Sequence, residues 1–191
     1  MTRPGGRSAR VRDAVHEAVV ELLAAGEIDA TIPKIAERAG VNPTSVYRRW
    51  GSRESLLLDA AVTRLRATSP IPDTGSLRGD LLGWAEGVER AMRDRRGQIL
   101  LRALVATMAP DEEPVEYLRA RGEDLQAALD KAAARGERVP TVDEVLDFVL
   151  APLYLRVLFR RPVEPGTAAQ LVGRLLTALP ADPAPSAGRG G

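Results

Sequence analysis

The chain contains no cysteine, one histidine and only 4% aromatic residues. Without Cys there is no disulfide, zinc-thiolate site or thiol nucleophile. The lone His16 has no Cys or His neighbour in sequence, so it reads as a polar residue on a helix flank, not a metal ligand or half of a catalytic dyad. No run approaches the roughly 18 consecutive apolar residues of a membrane span. The opening MTRPGGRSARVR has four arginines but no acid and no apolar core, so it is not a secretory signal. A cytoplasmic location with no membrane partner is expected. Strong bulk charge is lacking too: the net charge is +1 and the isoelectric point about 8.2. The distribution says more, because residues 1–66 hold 11 basic and 8 acidic groups, leaving 16 basic and 18 acidic groups for the rest. The positive excess lies at the N-terminus.

What is present is 191 residues with 45% hydrophobic and 28% charged content, enough for a small domain joined to a larger one. Apolar positions recur with a period near 3.6 from Arg7 to Leu179, and no run alternates as a half-buried strand would. An all-α fold of about nine helices is predicted. Val11, Val15, Ala18, Val19, Leu22 and Leu23 form the stripe of a first helix stopped by Gly26. Thr31 caps a short second helix that ends before Gly40, and Pro43, after Asn42, starts a short third one that ends at Gly51. Ser52 and Ser55 open a longer helix carrying Leu56, Leu57, Ala60, Ala61 and Leu65. The Ser69–Gly75 turn segment marks a seam, and further helices are read at about 76–94, 97–109, 113–134, 142–160 and 167–179. The expected organisation is a disordered basic arm at about 1–6, a small helical unit with its linking helix at about 7–67, a larger helical domain at about 76–179 and a Pro/Gly-rich disordered tail at about 180–191.

Two short helices joined by Ala39-Gly40-Val41 make a helix-turn-helix: Ala36 permits a close crossing, Gly40 the turn, and Val41 plugs the core. In such a unit the second helix enters the major groove with its N-terminal residues toward base edges, here Pro43, Thr44 and Ser45. Thr44 suits a phosphate, a base edge or a thymine methyl, whereas Pro43 offers apolar contact only. Val46 and Trp50 point back to the core, near Ile35 and Leu56. Tyr47 can lay its ring along the backbone and donate to a phosphate. Arg48 and Arg49 can take guanine or phosphate, and Arg53, at a helix start, can help hold a phosphate.

The window from Thr31 to Leu57 resembles the TetR family of bacterial transcriptional regulators. Thr31, Ile35, Ala36, Ala39, Gly40, Val41, Tyr47, Ser52 and Leu56 match the family pattern. Trp50 stands for the usual Phe, Val46 for Leu, Ser45 for Thr and Arg53 for Lys, each keeping its physical role. The resemblance implies phosphate binding at Thr31, Ser45, Tyr47 and Arg53 and groove contacts at Pro43, Thr44, Arg48 and Arg49. The arm residues Arg3, Arg7, Arg10 and Arg12 are further candidates for a neighbouring groove or backbone.

The C-terminal half offers no catalytic constellation, so no enzyme activity, cofactor or metal is expected. Asp111-Glu112-Glu113, between Pro110 and Pro114, reads as a loop and helix cap. From Val145 to Phe159 the chain is apolar nearly all round, so one side must bury against something beyond its own subunit. With the last helix it is expected to form a four-helix homodimer interface, with Val145, Val149, Leu153, Val157, Leu171 and Leu175 as its residues. Pro152 is expected to bend this helix or open a carbonyl. An effector pocket is expected from Trp84, Val88, Met92, Leu100, Leu104, Met108, Tyr117 and Leu118. Gly79, Gly83 and Gly87 recur on one helix face, which must accept close backbone approach or leave room for a ligand. The reading is a homodimeric repressor, released from palindromic or pseudo-palindromic double-stranded operator DNA by a small molecule. The alternative is an activator or global DNA-binding regulator without an inducer.

Overall fold

The computed structural model describes residues 6–106 and 116–179, and among them the regular structure is entirely helical, in nine helices. These are α1 (Arg7–Ala24), α2 (Ile32–Ala39), α3 (Pro43–Trp50), α4 (Arg53–Thr68), α5 (Leu77–Arg93), α6 (Arg95–Ala106), α7 (Glu116–Ala134), α8 (residues 142–158) and α9 (Thr167–Ala178). The expected N-terminal arm beyond Gly6, the acidic Asp111-Glu112-Glu113 cluster, Met108 and the C-terminal tail lie outside the described residues.

Local chemistry sets the helix ends. Gly40 terminates α2 at φ 67°, a left-handed conformation that a side chain disfavours, and the chain turns there into α3. The Asn42 carboxamide caps α3 by accepting from the Thr44 backbone N–H at 2.8 Å, with Pro43 filling the first turn where its missing N–H is harmless. The Ser52 hydroxyl accepts from the Ser55 N–H at 3.1 Å and caps α4. Helix α6 begins at Arg95, earlier than its apolar pattern indicates, because the Asp94 carboxylate accepts from the N–H groups of Arg96 at 2.7 Å and Gly97 at 3.3 Å.

One apolar core runs from Val15 on α1 to Leu175 on α9. Its N-terminal end is small: Val15, Val19, Ile35, Ala36, Val46, Leu56 and Ala60 are all but inaccessible and hold α1 to α4 together. The seam does not separate the two halves but lies across α5. A Cβ added at Gly79, Gly83 or Gly87 would come within 2.2 Å of Thr74 Oγ1, 2.8 Å of Pro72 Cγ and 3.0 Å of Ser69 Cα respectively. The glycine face therefore serves close backbone approach, and the connecting segment fills the room a ligand would need.

Buried polar groups fasten the remaining elements. Glu89 of α5 caps α9 in place of Gly166, which has no side chain to do so: its carboxylate accepts from the N–H groups of Gly166 at 3.2 Å and Ala168 at 2.8 Å. Arg121 of α7, 1% exposed, donates to the Leu65 and Ser69 carbonyls, each at 3.0 Å, and to Ser69 Oγ at 2.8 Å, so it closes the C-terminal end of α4. Beside it Arg66 makes a two-pronged bond to Asp124, at 2.9 and 2.6 Å. In α8 the segments Val142–Val145 and Ala151–Leu158 are joined by a π-helical turn, Leu146–Leu150. Pro152 supplies the reason, since it cannot donate to the Phe148 carbonyl, and the wider turn instead bonds Ala151 N–H to the Leu146 carbonyl.

Candidate nucleic-acid interface

Helix α3 is two turns long and offers one buried anchor, Val46. Fixing Val46 inward turns the neighbouring positions outward: Thr44, Arg48 and Arg49 are exposed, as is Tyr47 at 49%, while Pro43 and Ser45 are half-buried on the flank. Thr31, the residue before α2, is exposed, and its hydroxyl does not make the expected capping bond. Arg48 makes no hydrogen bond or ion pair among the described residues, so its donors face solvent. Arg49 is oriented: its guanidinium lies 5.4 Å from the centre of the Trp50 ring and donates to Ser8 Oγ at 2.9 Å, near the start of α1. Arg10 is exposed on α1 and Arg12 lies 3.9 Å from Asp13.

Arg53 has a different placement from the rest. Its Nε donates to the Ala30 carbonyl at 3.0 Å and its Nη2 to the Ile28 carbonyl, while Nη1 is 3.5 Å from Glu54. The guanidinium thus fastens the α1–α2 loop to the start of α4, and its fork is occupied from within the chain. Residues 52–53 still present an α4 N-terminus, but the arginine acts first as a positioning group.

The end of α3 is held by a group that the sequence does not announce. Trp50 Nε1 donates to Asp59 Oδ2 at 2.7 Å, and the same oxygen lies 2.9 Å from His16 Nε2. His16 is only 8% exposed, so it belongs to the packed unit and is more than a polar flank. The hydrogen bond to His16 leads, with the Trp50 bond adding to it against the opposing effect of burial, in holding the Asp59 carboxyl down at about 2. The signal available was the replacement of the family's usual Phe by Trp50, which adds a donor that a buried setting must satisfy.

In the C-terminal half Trp84, Val88, Met92, Leu100 and Leu104 are buried. A cavity of about 320 Å³ between α6, α7 and α8 is lined by Leu101, Leu104, Val105, Leu118, Leu146, Leu150, Ala151, Tyr154, Leu155 and Leu158, with Asp147 among its polar groups. Of the expected pocket residues, Leu104 and Leu118 line it. Trp84, Val88, Met92 and Leu100 do not; they fill the core, because an inward-facing stripe looks the same whether the interior opposite is packed or hollow. Tyr117 sits in the first turn of α7.

The expected dimer residues lie mostly on the inner side of their helices in the single chain. Val145, Val149 and Leu153 are fully buried in their own subunit, Val157 and Leu175 are each 2% exposed, and Leu171 is half-buried. A side chain already inside its own core has no surface to give a second copy. The outward side of α8 instead carries Phe148 and Leu155, with Phe159 following at its C-cap, exposed by 52, 49 and 74%. No described helix is long and apolar enough to cross a membrane.

An exposed recognition helix on a small core, with a larger helical half behind it, defines a helix-turn-helix DNA-binding transcriptional regulator. The family "Bacterial regulatory proteins, tetR family" matches residues 16–60, and "Tetracyclin repressor-like, C-terminal domain" matches residues 71–175. The HTH-type transcriptional regulator AqdR of Rhodococcus erythropolis is 34% identical over 78% of this chain and 72% of its own. YdeS of Bacillus subtilis, an uncharacterized HTH-type transcriptional regulator, is 31% identical over 80% of each chain. The fold is shared with the crystal structure of a TetR family transcription regulator from Marinobacter aquaeolei, at TM-score 0.55 and 23% identity over 89% of this chain and 94% of that one. The chain belongs to the TetR family of transcriptional regulators.

Proposed function

We propose that this regulator is a homodimeric, sequence-specific repressor that leaves its operator when a small molecule occupies its C-terminal half. The observation that carries the reading is the α3 surface: a capped two-turn helix, anchored by Val46, presenting Thr44, Tyr47, Arg48 and Arg49 to solvent on a chain whose family binds DNA. Thr44 and Arg48, with Pro43 at the flank, read base edges. Thr31, Ser45 and Tyr47 take phosphates, and Arg49 reaches groove or backbone from its seat on Trp50.

Two copies pair through the outward face of α8 with α9, because Phe148, Leu155 and the following Phe159 leave three large apolar side chains exposed on one short stretch. A dimer places two α3 helices on successive major-groove faces of a two-fold operator. The effector occupies the cavity of about 320 Å³ between α6, α7 and α8, whose leucine lining suits a mainly apolar compound. Coupling runs through α4, which reaches α3 at one end and α7 at the other. DNA and effector favour different arrangements of that rod, and the resulting antagonism is reciprocal. Such a regulator acts on the chromosome, in the cytoplasm.

The test is footprinting of genomic DNA with the purified protein, followed by a compound screen on the bound sites. The reading predicts discrete protected sites and a compound that empties them at fixed salt. Binding with no site preference, or protection that no compound disturbs, contradicts it.

A further inference from the structure

Helix α3 has only Val46 buried, so its N-terminal Asn42 cap and one apolar anchor leave its roll about the long axis weakly determined. The second fixed point is Trp50, its last residue. The indole donates to Asp59 Oδ2 at 2.7 Å, and the His16 ring, 2.9 Å from that oxygen and 5.9 Å from the Trp50 ring centre, backs the pair from α1. On the outer side the Arg49 guanidinium lies over the same indole at 5.4 Å. Asp59 therefore holds the aromatic plate on which an exposed arginine of the reading helix rests. A phenylalanine at position 50 would fill the space but could not bond to Asp59. We propose that Asp59 is a positioning residue for DNA reading: through the Trp50 indole it sets the roll of α3 and the placement of Arg49, without touching DNA itself.

This rests on α3 being the DNA-reading helix, and it adds a requirement that the helix alone does not impose. The carboxylate and the indole act as one unit, so their effects on binding must not add. Asp59 also lines an open groove between α4 and α7, and the same helix carries the Arg66 bond to Asp124 of α7. The group that sets the roll of α3 is thus mounted on the rod that α7 grips.

The experiment uses the full-length protein and a duplex that the wild type selects from a random-sequence library. Dissociation constants are measured at one salt concentration for wild type, Trp50→Phe, Asp59→Asn and the double variant, at a temperature where circular dichroism shows each folded. Each single change is expected to weaken binding about tenfold, the loss of one charge-assisted bond, and the double variant to bind no more weakly than Trp50→Phe alone. In ¹H–¹⁵N spectra Asp59→Asn is expected to shift the Trp50 indole N–H resonance and leave that of Trp84 in place. Wild-type affinity in Trp50→Phe, or losses that add to about a hundredfold in the double variant, overturns the proposal. Trp50→Phe decides by itself if Asp59→Asn does not fold, since Phe is the family's usual residue there. Failure of the wild type to select any duplex removes the reading of α3, and the proposal with it. Normal selection with equal affinities removes the proposal alone.

Discussion

In the homodimer proposed above, replacing Phe148 by Glu should separate the two copies and leave the subunit folded. Phe148, Leu155 and Phe159 are 52, 49 and 74% exposed in the single chain. Full burial of such a side chain is worth about 1.5–3 kcal/mol, so covering these fractions contributes about 3–5 kcal/mol per subunit and about 5–10 kcal/mol per two-fold dimer. That is of the size needed to offset the loss of translational and rotational freedom on association. Phe148→Glu is counted twice in an isologous interface. It removes about 2–3 kcal/mol of burial and adds the desolvation of two carboxylates, about 4 kcal/mol together, or roughly a thousandfold in the dimer dissociation constant. Sedimentation equilibrium from nanomolar to micromolar concentration reads this directly. The control is the adjacent Val149→Glu, where a fully buried position would receive the charge and the subunit itself should unfold. A Phe148→Glu protein with the wild-type dimer constant, or a folded monomer made by Val149→Glu, would refute the assignment of faces.

Three further outcomes concern Glu89, Gly83 and Asp59. Glu89→Leu leaves two N–H donors at the start of α9 without their acceptor and should cost about 2–4 kcal/mol in chemical denaturation; Glu89→Gln should cost about half, and equal losses for the two would argue against capping. Gly83→Leu drives its Cβ to within 2.8 Å of Pro72 Cγ and should destabilise the protein by about 1–3 kcal/mol, read as a lowered Tm, and no change would show that the connecting segment yields freely. Asp59 titrates at about 2 in the folded chain against an ordinary 3.8. Its contribution is therefore complete above about pH 4 and is lost as pH falls toward about 2; with 39% of the side chain exposed, screening reduces it to about 1 kcal/mol. Stability curves of wild type and Asp59→Asn should converge across that acid window, and parallel curves would show that the carboxylate is not stabilised by folding.

The helices were legible where local chemistry decides them. Gly40, Asn42, Pro43 and Ser52 mark helix ends by capping and backbone preference, which act over three or four residues and need no tertiary context, whereas Thr31 precedes α2 without a side-chain capping bond. The outward face of α3 is legible for the same reason: in two turns Val46 and Trp50, four residues apart, are the apolar residues on its inner side. What failed were questions of partner. In α8 every face is apolar, so periodicity identifies a stripe without telling which stripe meets the subunit's own core, and only packing sets Val149 inside and Phe148 outside. In α5 the inward stripe of Trp84, Val88 and Met92 was readable as buried but not as packed, because a cavity and a core present the same pattern. The glycine face left close approach and empty space both open, and its occupant, Pro72, comes from the segment just before the helix. Arg53 followed a family position, but its fork bonds the Ile28 and Ala30 carbonyls, contacts set by the α1–α2 loop. Asp59 and Arg121 looked like ordinary helix charges, since nothing in sequence brings Trp50 to the one or Leu65 to the other.

The central claim is that α3 reads operator DNA as one half of a two-fold pair. Hydroxyl-radical footprinting on a duplex selected by the wild-type protein tests it most directly, with Arg48→Ala and Thr44→Ala alongside. Two protected half-sites related by a two-fold axis are expected, centred about 34–36 Å or a multiple of it apart, with protection weakened by both substitutions. A single unpaired site, or an unchanged footprint in both variants, would contradict it.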